Sequence, residues 1–310
     1  MQPNLFLVGA PKCGTTALYS YLAQHPDVYC SPLVKEFNHF NQDLMHGRTG
    51  VVSREEYLSY FAGAGSKRYA VDGSVWYLYS ERAAAEIKAF APDARLVVTL
   101  RDPVEQVASM HSQRLSTGYE NIADLGEALD AEADRREGRR VPVGAYEPRS
   151  LLYRDIASYA AQLQRYLDLF PPQQVHVMLY EAFRADPERE YRRLLEFLGL
   201  EPVMPADFAV VNPNKSPRVR ALPRLARYVR ELGWLRRAVR RLLPTAGQRI
   251  RLSRWVYRMN SRVERRASMS PVLASGLRQT FAPDVVRLEA LLGQKLPWPQ
   301  DPPKSGRIAS

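Results

Sequence analysis

A three-layer α/β/α fold with a central parallel sheet, followed by a basic helical C-terminal extension, is what this 310-residue chain predicts. Three observations carry that expectation. Short runs with hardly any charge, "LFLVG" at 5–9 and "ARLVVTL" at 94–100, have the composition of strands buried on both faces. Segments with apolar residues at helical spacing follow them, and strands alternating with helices imply a parallel sheet covered on both sides. Past residue 220 the strand patterns stop and arginine accumulates. Between Ser216 and Arg266 stand 16 arginines against two acids, Glu231 and Glu264.

The elements follow in order. Strand 5–9 ends in glycine, and "TTALYSYLAQ" (15–24) reads as a helix opening straight from the next loop. A short strand is expected near Val28–Cys30, then a polar turn, then a strand in "YAVDGS" (69–74). "SERAAAEIKAF" (80–90) reads as a helix with Ser80 as its cap, because a serine hydroxyl can accept from the free first-turn amides. Strand 94–100 ends at "RDP", and "VEQVASMHSQRL" continues as helix. Residues 150–170 read as one long helix stopped by Pro171 and Pro172, followed by strand 174–181 and helix 187–200. Three further helices are expected at 221–243, 247–267 and 283–293. The division this suggests is a core over 1–220 and an arginine-rich region over 221–310 whose last helix packs back on the core.

Composition narrows the classes. The chain is 45% hydrophobic and 25% charged, as for a globular protein, with a formal net charge of +11. No stretch approaches the ~20 apolar residues that span a bilayer, and no leader sequence is recognisable. Cys13 and Cys30 are the only cysteines, too few for a disulfide framework. A cytoplasmic location is expected, with a peripheral position at a membrane left open by the arginines.

The chemistry is concentrated in "GAPKCGTT" (9–16). Gly9 and Gly14 have the spacing of the nucleotide-binding loop G-x-x-x-x-G-K-[ST], and Thr16 stands in its Ser/Thr place. Position 15, however, is threonine, and the lysine has moved forward to Lys12. A loop between a buried strand and a helix N-terminus presents backbone N–H groups and the positive end of a helix dipole to phosphate or sulfate oxygens. Lys12 at its crown would lie over the bound group, where a cation stabilises a leaving oxygen. The fold is therefore P-loop-like with a displaced lysine.

"GAPKCGTTALYSYLAQHPDV" resembles the 5′-phosphosulfate loop of sulfotransferases that use 3′-phosphoadenosine 5′-phosphosulfate (PAPS), in particular bacterial members related to the heparan-sulfate branch. The resemblance implies that Lys12, Cys13, Gly14, Thr15 and Thr16 hold the 5′ side of PAPS, with Lys12 on the bridging oxygen. "LVVTLRDPVEQVASMHSQ" (96–113) resembles the family's 3′-phosphate element, which assigns Arg101 and Ser109 to that phosphate. A guanidinium and a hydroxyl suit a phosphate dianion through charge-assisted hydrogen bonds. In "LVKEFNHF" (33–40) the resemblance makes Glu36 the base that takes the acceptor proton. Asn38 stands where many relatives have histidine, and His39 comes one residue late. Gly73, in "VDGSVWYLYS", replaces the lysine of the K-[ST]-P-x-Y segment that touches substrate in relatives. "NPNKSPR" (212–218) sits where the family closes a basic loop, so Lys215 is expected to assist Lys12, and Ser216 and Arg218 to cover the cofactor.

The implied reaction is in-line transfer of the sulfuryl group of PAPS to an acceptor hydroxyl on a glycan, lipid or secondary metabolite, releasing adenosine 3′,5′-bisphosphate (PAP). No metal is required, since a sulfate ester carries less charge than a phosphate and "LVVTL" ends in Arg101 rather than a metal-holding aspartate. Two alternatives remain open from the residues. A P-loop kinase or NTPase would need lysine where Thr15 stands. A non-catalytic basic protein would bind nucleic acid or an anionic membrane through 216–266, although no nucleic-acid-binding signature is present there. On an enzyme, that same stretch would dock an acidic carrier protein or an anionic membrane surface.

Overall fold

The computed structural model describes residues 1–44, 53–142, 147–208, 215–217, 241, 261–263 and 269–299. Its centre is β1 (Leu5–Gly9), every residue of which is buried. Side chains alternate across a strand, so Leu5 and Leu7 enter one apolar cluster and Phe6 and Val8 enter the other. Around β1 lie β2 (Val28–Cys30), β3 (Tyr69–Asp72), β4 (Arg95–Leu100) and β5 (Val175–Leu179), in the order β2-β3-β1-β4-β5. All four pairings are parallel.

Two helical layers cover the sheet. Helix α1 (Thr15–Leu22) contributes Leu18, Tyr21 and Leu22 to the cluster under Leu5 and Leu7. On the other face Ile87, Val107, Tyr153, Leu163, Phe281 and Leu288 pack over Phe6 and Val8. They come from α3 (Ala83–Phe90), α4 (Pro103–Thr117), α7 (Tyr153–Ala157), α8 (Ala160–Leu167) and α11 (Pro271–Leu292), which follow α2 (Arg54–Ser59), α5 (Leu125–Asp130) and α6 (Glu132–Arg136) among the shorter turns. Helices α9 (Tyr180–Ala185) and α10 (Pro187–Leu198) come after β5, and α10 puts Tyr191, Leu194 and Leu195 on the α1 side. The expected three-layer parallel α/β fold is the one observed. No helix among the described residues is long and apolar enough to cross a membrane.

Three expectations need correction. The single helix read over 150–170 is broken into α7 and α8 at Ser158. The cause lies far along the chain: the Asp284 carboxylate of α11 accepts from Tyr159 N at 2.7 Å and Ala160 N at 3.1 Å, capping α8 from outside. Strands do not end at residue 220, for β6 (Lys215–Pro217) pairs antiparallel with β7 (Ser261–Val263). A ladder of three residues containing a proline is too short to leave an alternating pattern, and β7 replaces the end of the helix read over 247–267. The last helix begins at Pro271, not 283, and runs through Pro283. Ser270 is the observed cap, accepting from Leu273 N at 3.2 Å. Most of the helices read over 221–243 and 247–267 lies outside the described residues, as do Arg218 and nearly all of the arginine-rich surface.

Candidate active site

The carboxyl ends of β1 and β4 form the place where the chain reverses direction across the sheet. From β1 it goes to the β2–β3 side, and from β4 to β5, so the two following loops part and leave a crevice between them. The strands are stitched at that point. Ala10 N donates to Thr99 O at 2.7 Å, and Thr99 Oγ1 donates to Gly9 O at 3.0 Å.

Residues 10–14 form the loop. Gly9 has no room for a side chain, since a Cβ would fall 2.7 Å from both Leu78 Cβ and Val75 O. Lys12 (φ 69°) and Gly14 (φ 86°) are both left-handed, a backbone pattern that turns neighbouring N–H groups into one concavity. Gly14 is the N-cap of α1 and supplies no side-chain cap, which leaves the first-turn amides of Thr15 and Thr16 to face the crevice. Cys13 turns inward instead: its Sγ donates to Pro11 O at 3.5 Å, and burial pushes the thiol up to about 12. Only its backbone N–H is placed for an anion. Beneath the loop, the wholly buried Gln106 of α4 donates from Nε2 to Pro11 O at 3.3 Å.

The second loop follows from "RDP". Asp102 caps α4 by accepting from Val104 N at 2.8 Å, and Pro103 takes the first position, where a missing N–H does no harm. Arg101 therefore leaves the strand just before the helix, with its guanidinium over the Tyr180 ring at 4.7 Å and Nη2 3.1 Å from Glu105 Oε2. Its Nε is buried without a hydrogen-bond partner. Ser109 lies one turn beyond Glu105 on the same face of α4 and is buried. The Asp102 amide is held by Glu181 Oε1 at 3.0 Å, while Glu181 Oε2 accepts from Trp298 Nε1 at 3.0 Å. The C-terminal tryptophan thus belongs to the support of this loop as well as to the core.

Glu36 sits on a third loop, with its side chain 39% exposed. Lys35 ties it to the first. The Lys35 ammonium donates to Gly73 O at 2.9 Å and to both Thr15 Oγ1 and Glu36 Oε1 at 3.3 Å, so its three protons have three acceptors. The glycine at 73 makes this possible. A Cβ there would lie 2.9 Å from Lys35 Cγ, so the Lys35 stem occupies the space that a side chain at 73 would need. His39 does not join Glu36: its ring stacks on Tyr57 with centroids 4.3 Å apart, and Phe37 and Phe40 to either side of it are buried.

The structure therefore links the Lys12–Thr16 loop to Glu36 through Lys35 on Thr15, and sets Arg101 just past the adjoining strand end and Ser109 on the helix that follows it. Lys215 and Ser216 lie on β6, whose backbone runs beside α4. Sequence reasoning missed the three-way contact of Lys35, Gln106 under the loop and Glu181 behind Arg101. Of these only Lys35 left a mark, as half of a Lys-Glu pair.

A parallel sheet of this order, with a glycine loop beside the crevice where β1 and β4 part, defines an open-sheet α/β protein. Residues 2–207 match the sulfotransferase domain family, which is most of the chain, and the chain belongs to that family. Over 212 residues it is 29% identical to the human bifunctional heparan sulfate N-deacetylase/N-sulfotransferase 3, covering 64% of this chain and 22% of that protein. Human carbohydrate sulfotransferase 15 is 26% identical over 267 residues, covering 69% and 46%. The chain thus spans about a fifth to a half of the length of these curated relatives. Among solved structures, a sulfotransferase from Alicyclobacillus acidocaldarius superposes with a TM-score of 0.71 at 28% identity, over 96% of this chain and 98% of that one.

Proposed function

We propose that the chain is a PAPS-dependent sulfotransferase acting on an acceptor hydroxyl. The observation that carries this reading is the meeting of the Lys12–Thr16 loop, the Arg101–Ser109 element and the tethered Glu36 at one edge of the sheet. The unpartnered, buried Nε of Arg101 fits a site that an anion completes. When bound, PAPS supplies an activated sulfuryl group on a 5′-phosphate leaving group. The amides of Gly14, Thr15 and Thr16 hold its 5′ side, and Arg101 and Ser109 take the 3′-phosphate. Glu36 accepts the hydroxyl proton at its carboxylate. Lys12, seconded by Lys215 from β6, stabilises charge on the departing oxygen, a task for donors already in place. Relatives named for heparan sulfate and carbohydrate support a glycan acceptor over a lipid or secondary metabolite. The two free thiols fit a reducing compartment such as the cytoplasm.

Calorimetric titration with adenosine 3′,5′-bisphosphate tests the reading, with 5′-AMP and MgATP as controls. The bisphosphate should bind more tightly than 5′-AMP. Arg101→Ala should weaken it by about 10- to 100-fold, the worth of hydrogen bonds to a charged group, and erase the preference over 5′-AMP. Silence toward the bisphosphate together with binding of MgATP would replace this function with that of a kinase.

A further inference from the structure

Asp72 ends β3 and is completely enclosed, yet its carboxylate has four donors. Oδ1 accepts from Ser74 Oγ at 2.5 Å and Ser74 N at 3.0 Å. Oδ2 accepts from Tyr57 OH and Tyr77 OH, each at 2.8 Å. A hydroxyl has one proton to give and lone pairs to receive with. With their protons committed to Asp72, Ser74 and Tyr77 can only accept on their other side, and what they accept is the Glu36 loop. Ser74 Oγ takes Phe37 N at 2.8 Å and Asn38 N at 3.0 Å, and Tyr77 OH takes His39 N at 3.0 Å. One residue earlier, Lys35 O receives Gly73 N at 3.0 Å. Three successive amides directly after Glu36 thus hang on two hydroxyls oriented by one buried charge.

We propose that Asp72 is a positioning residue for the Glu36 loop: through Ser74 and Tyr77 its carboxylate fixes amides 37–39 and so holds Glu36 in place for proton acceptance. The catalytic part of this statement rests on the sulfuryl-transfer reading above; the clamp itself does not. Holding the charge runs against folding. Burial raises the carboxyl to about 6, so ionisation of this group disfavours the folded chain as pH rises through that value. Packing alone would be met by a neutral residue of the same shape. Tyr57, Tyr77 and Tyr19, the phenols that face the carboxylate, are held neutral by their own burial.

Asparagine in place of Asp72 keeps the shape but turns one acceptor into a donor. Ser74 N can only donate, so the amide oxygen stays on the Ser74 side and the new NH₂ faces Tyr57 and Tyr77. The Tyr77 hydroxyl must then accept from it and is weakened as the acceptor for the loop. Hydrogen–deuterium exchange is the test, made on the full chain. In Asp72→Asn the amide of His39 should exchange about fivefold faster or more, since a net hydrogen bond is worth about 1 kcal/mol, while those of Phe37 and Asn38 keep Ser74 Oγ and change less. Strand β4 should keep its protection within twofold, and adenosine 3′,5′-bisphosphate should bind within twofold of the parent chain. Ser74→Ala, which removes the acceptor of Phe37 N and Asn38 N, should speed those two amides instead, and Ser74→Thr should restore their protection. Unchanged exchange at 37–39 in both Asp72→Asn and Ser74→Ala overturns the clamp. Faster exchange in β4 to the same degree as in the loop also overturns it, by making Asp72 a general stabiliser. Failure of the parent chain to bind the bisphosphate is a different outcome, which removes the sulfuryl-transfer reading and leaves the clamp to be judged by exchange alone.

Discussion

Glu36→Gln is expected to lower turnover of PAPS with a hydroxyl acceptor by about 10²- to 10⁴-fold, the usual contribution of a positioned general base. The substitution keeps the shape of the side chain and an oxygen for the Lys35 ammonium 3.3 Å away, and removes only the capacity to take a proton. Because the substitution leaves the loop at 10–14 and Arg101 untouched, adenosine 3′,5′-bisphosphate should bind within a factor of two of the parent chain. Steady-state release of the bisphosphate from PAPS, with an aliphatic alcohol whose hydroxyl stays protonated at neutral pH as the probe acceptor, separates the two quantities. A variant that turns over as fast as its parent would remove Glu36 from the chemistry and leave the crevice without a base.

The second large effect is on stability, and it comes from behind the site. Glu120 and Arg135 form an ion pair at 2.8 Å in which neither side chain has any contact with solvent. The carboxylate also accepts from Asn121 N at 2.8 Å, Ile122 N at 2.9 Å and Tyr153 OH at 2.8 Å. The guanidinium reaches the carbonyls of Ala128 and Leu151, both at 3.3 Å. The cluster joins the end of α4 to α6 and α7. Removing one partner strands the other charge in a dry interior, so Glu120→Ala should cost about 3–5 kcal/mol. For a domain of this size that is a fall of roughly 6–20 °C in the unfolding midpoint, readable by thermal denaturation. Replacing both residues by apolar ones of similar volume should restore much of the loss, because no buried charge is then left unpaired. A midpoint within 2 °C of the parent for Glu120→Ala, on the order of 1 kcal/mol or less, would count against the pair as a structural anchor.

What the sequence made legible follows from how local each cause is. Strands β1 and β4 stood out because a strand covered on both faces is apolar along its whole length. The start of α4 stood out because the apolar strand stops at "RDP" and a helical pattern follows it at once. The loop at 9–16 and the pair Arg101 and Ser109 were legible for the same reason, since their spacing is fixed within one short segment. Illegible features had distant causes. The break between α7 and α8 depends on Asp284, more than a hundred residues away. The role of Lys35 depends on β3 bringing Gly73 beside it and on α1 presenting Thr15. Asp72, Ser74 and Tyr77 lie close together in the sequence, but nothing in it says that Phe37, Asn38 and His39 will be their ligands.

The short ladder of β6 and β7 has a consequence for how such a protein can change. It sets Pro217 opposite Ser261, so the polypeptide departs and comes back at a single doorway beside α4. Closing a longer connection on the same two strands adds only about 0.6 kcal/mol per doubling of its length, so the sequence between them can vary in length and charge with little entropic penalty. The loops that follow β1 and β4 do not pass through that doorway. The ladder thus sets apart the stretch of chain that can change most cheaply from the sheet that carries the candidate site.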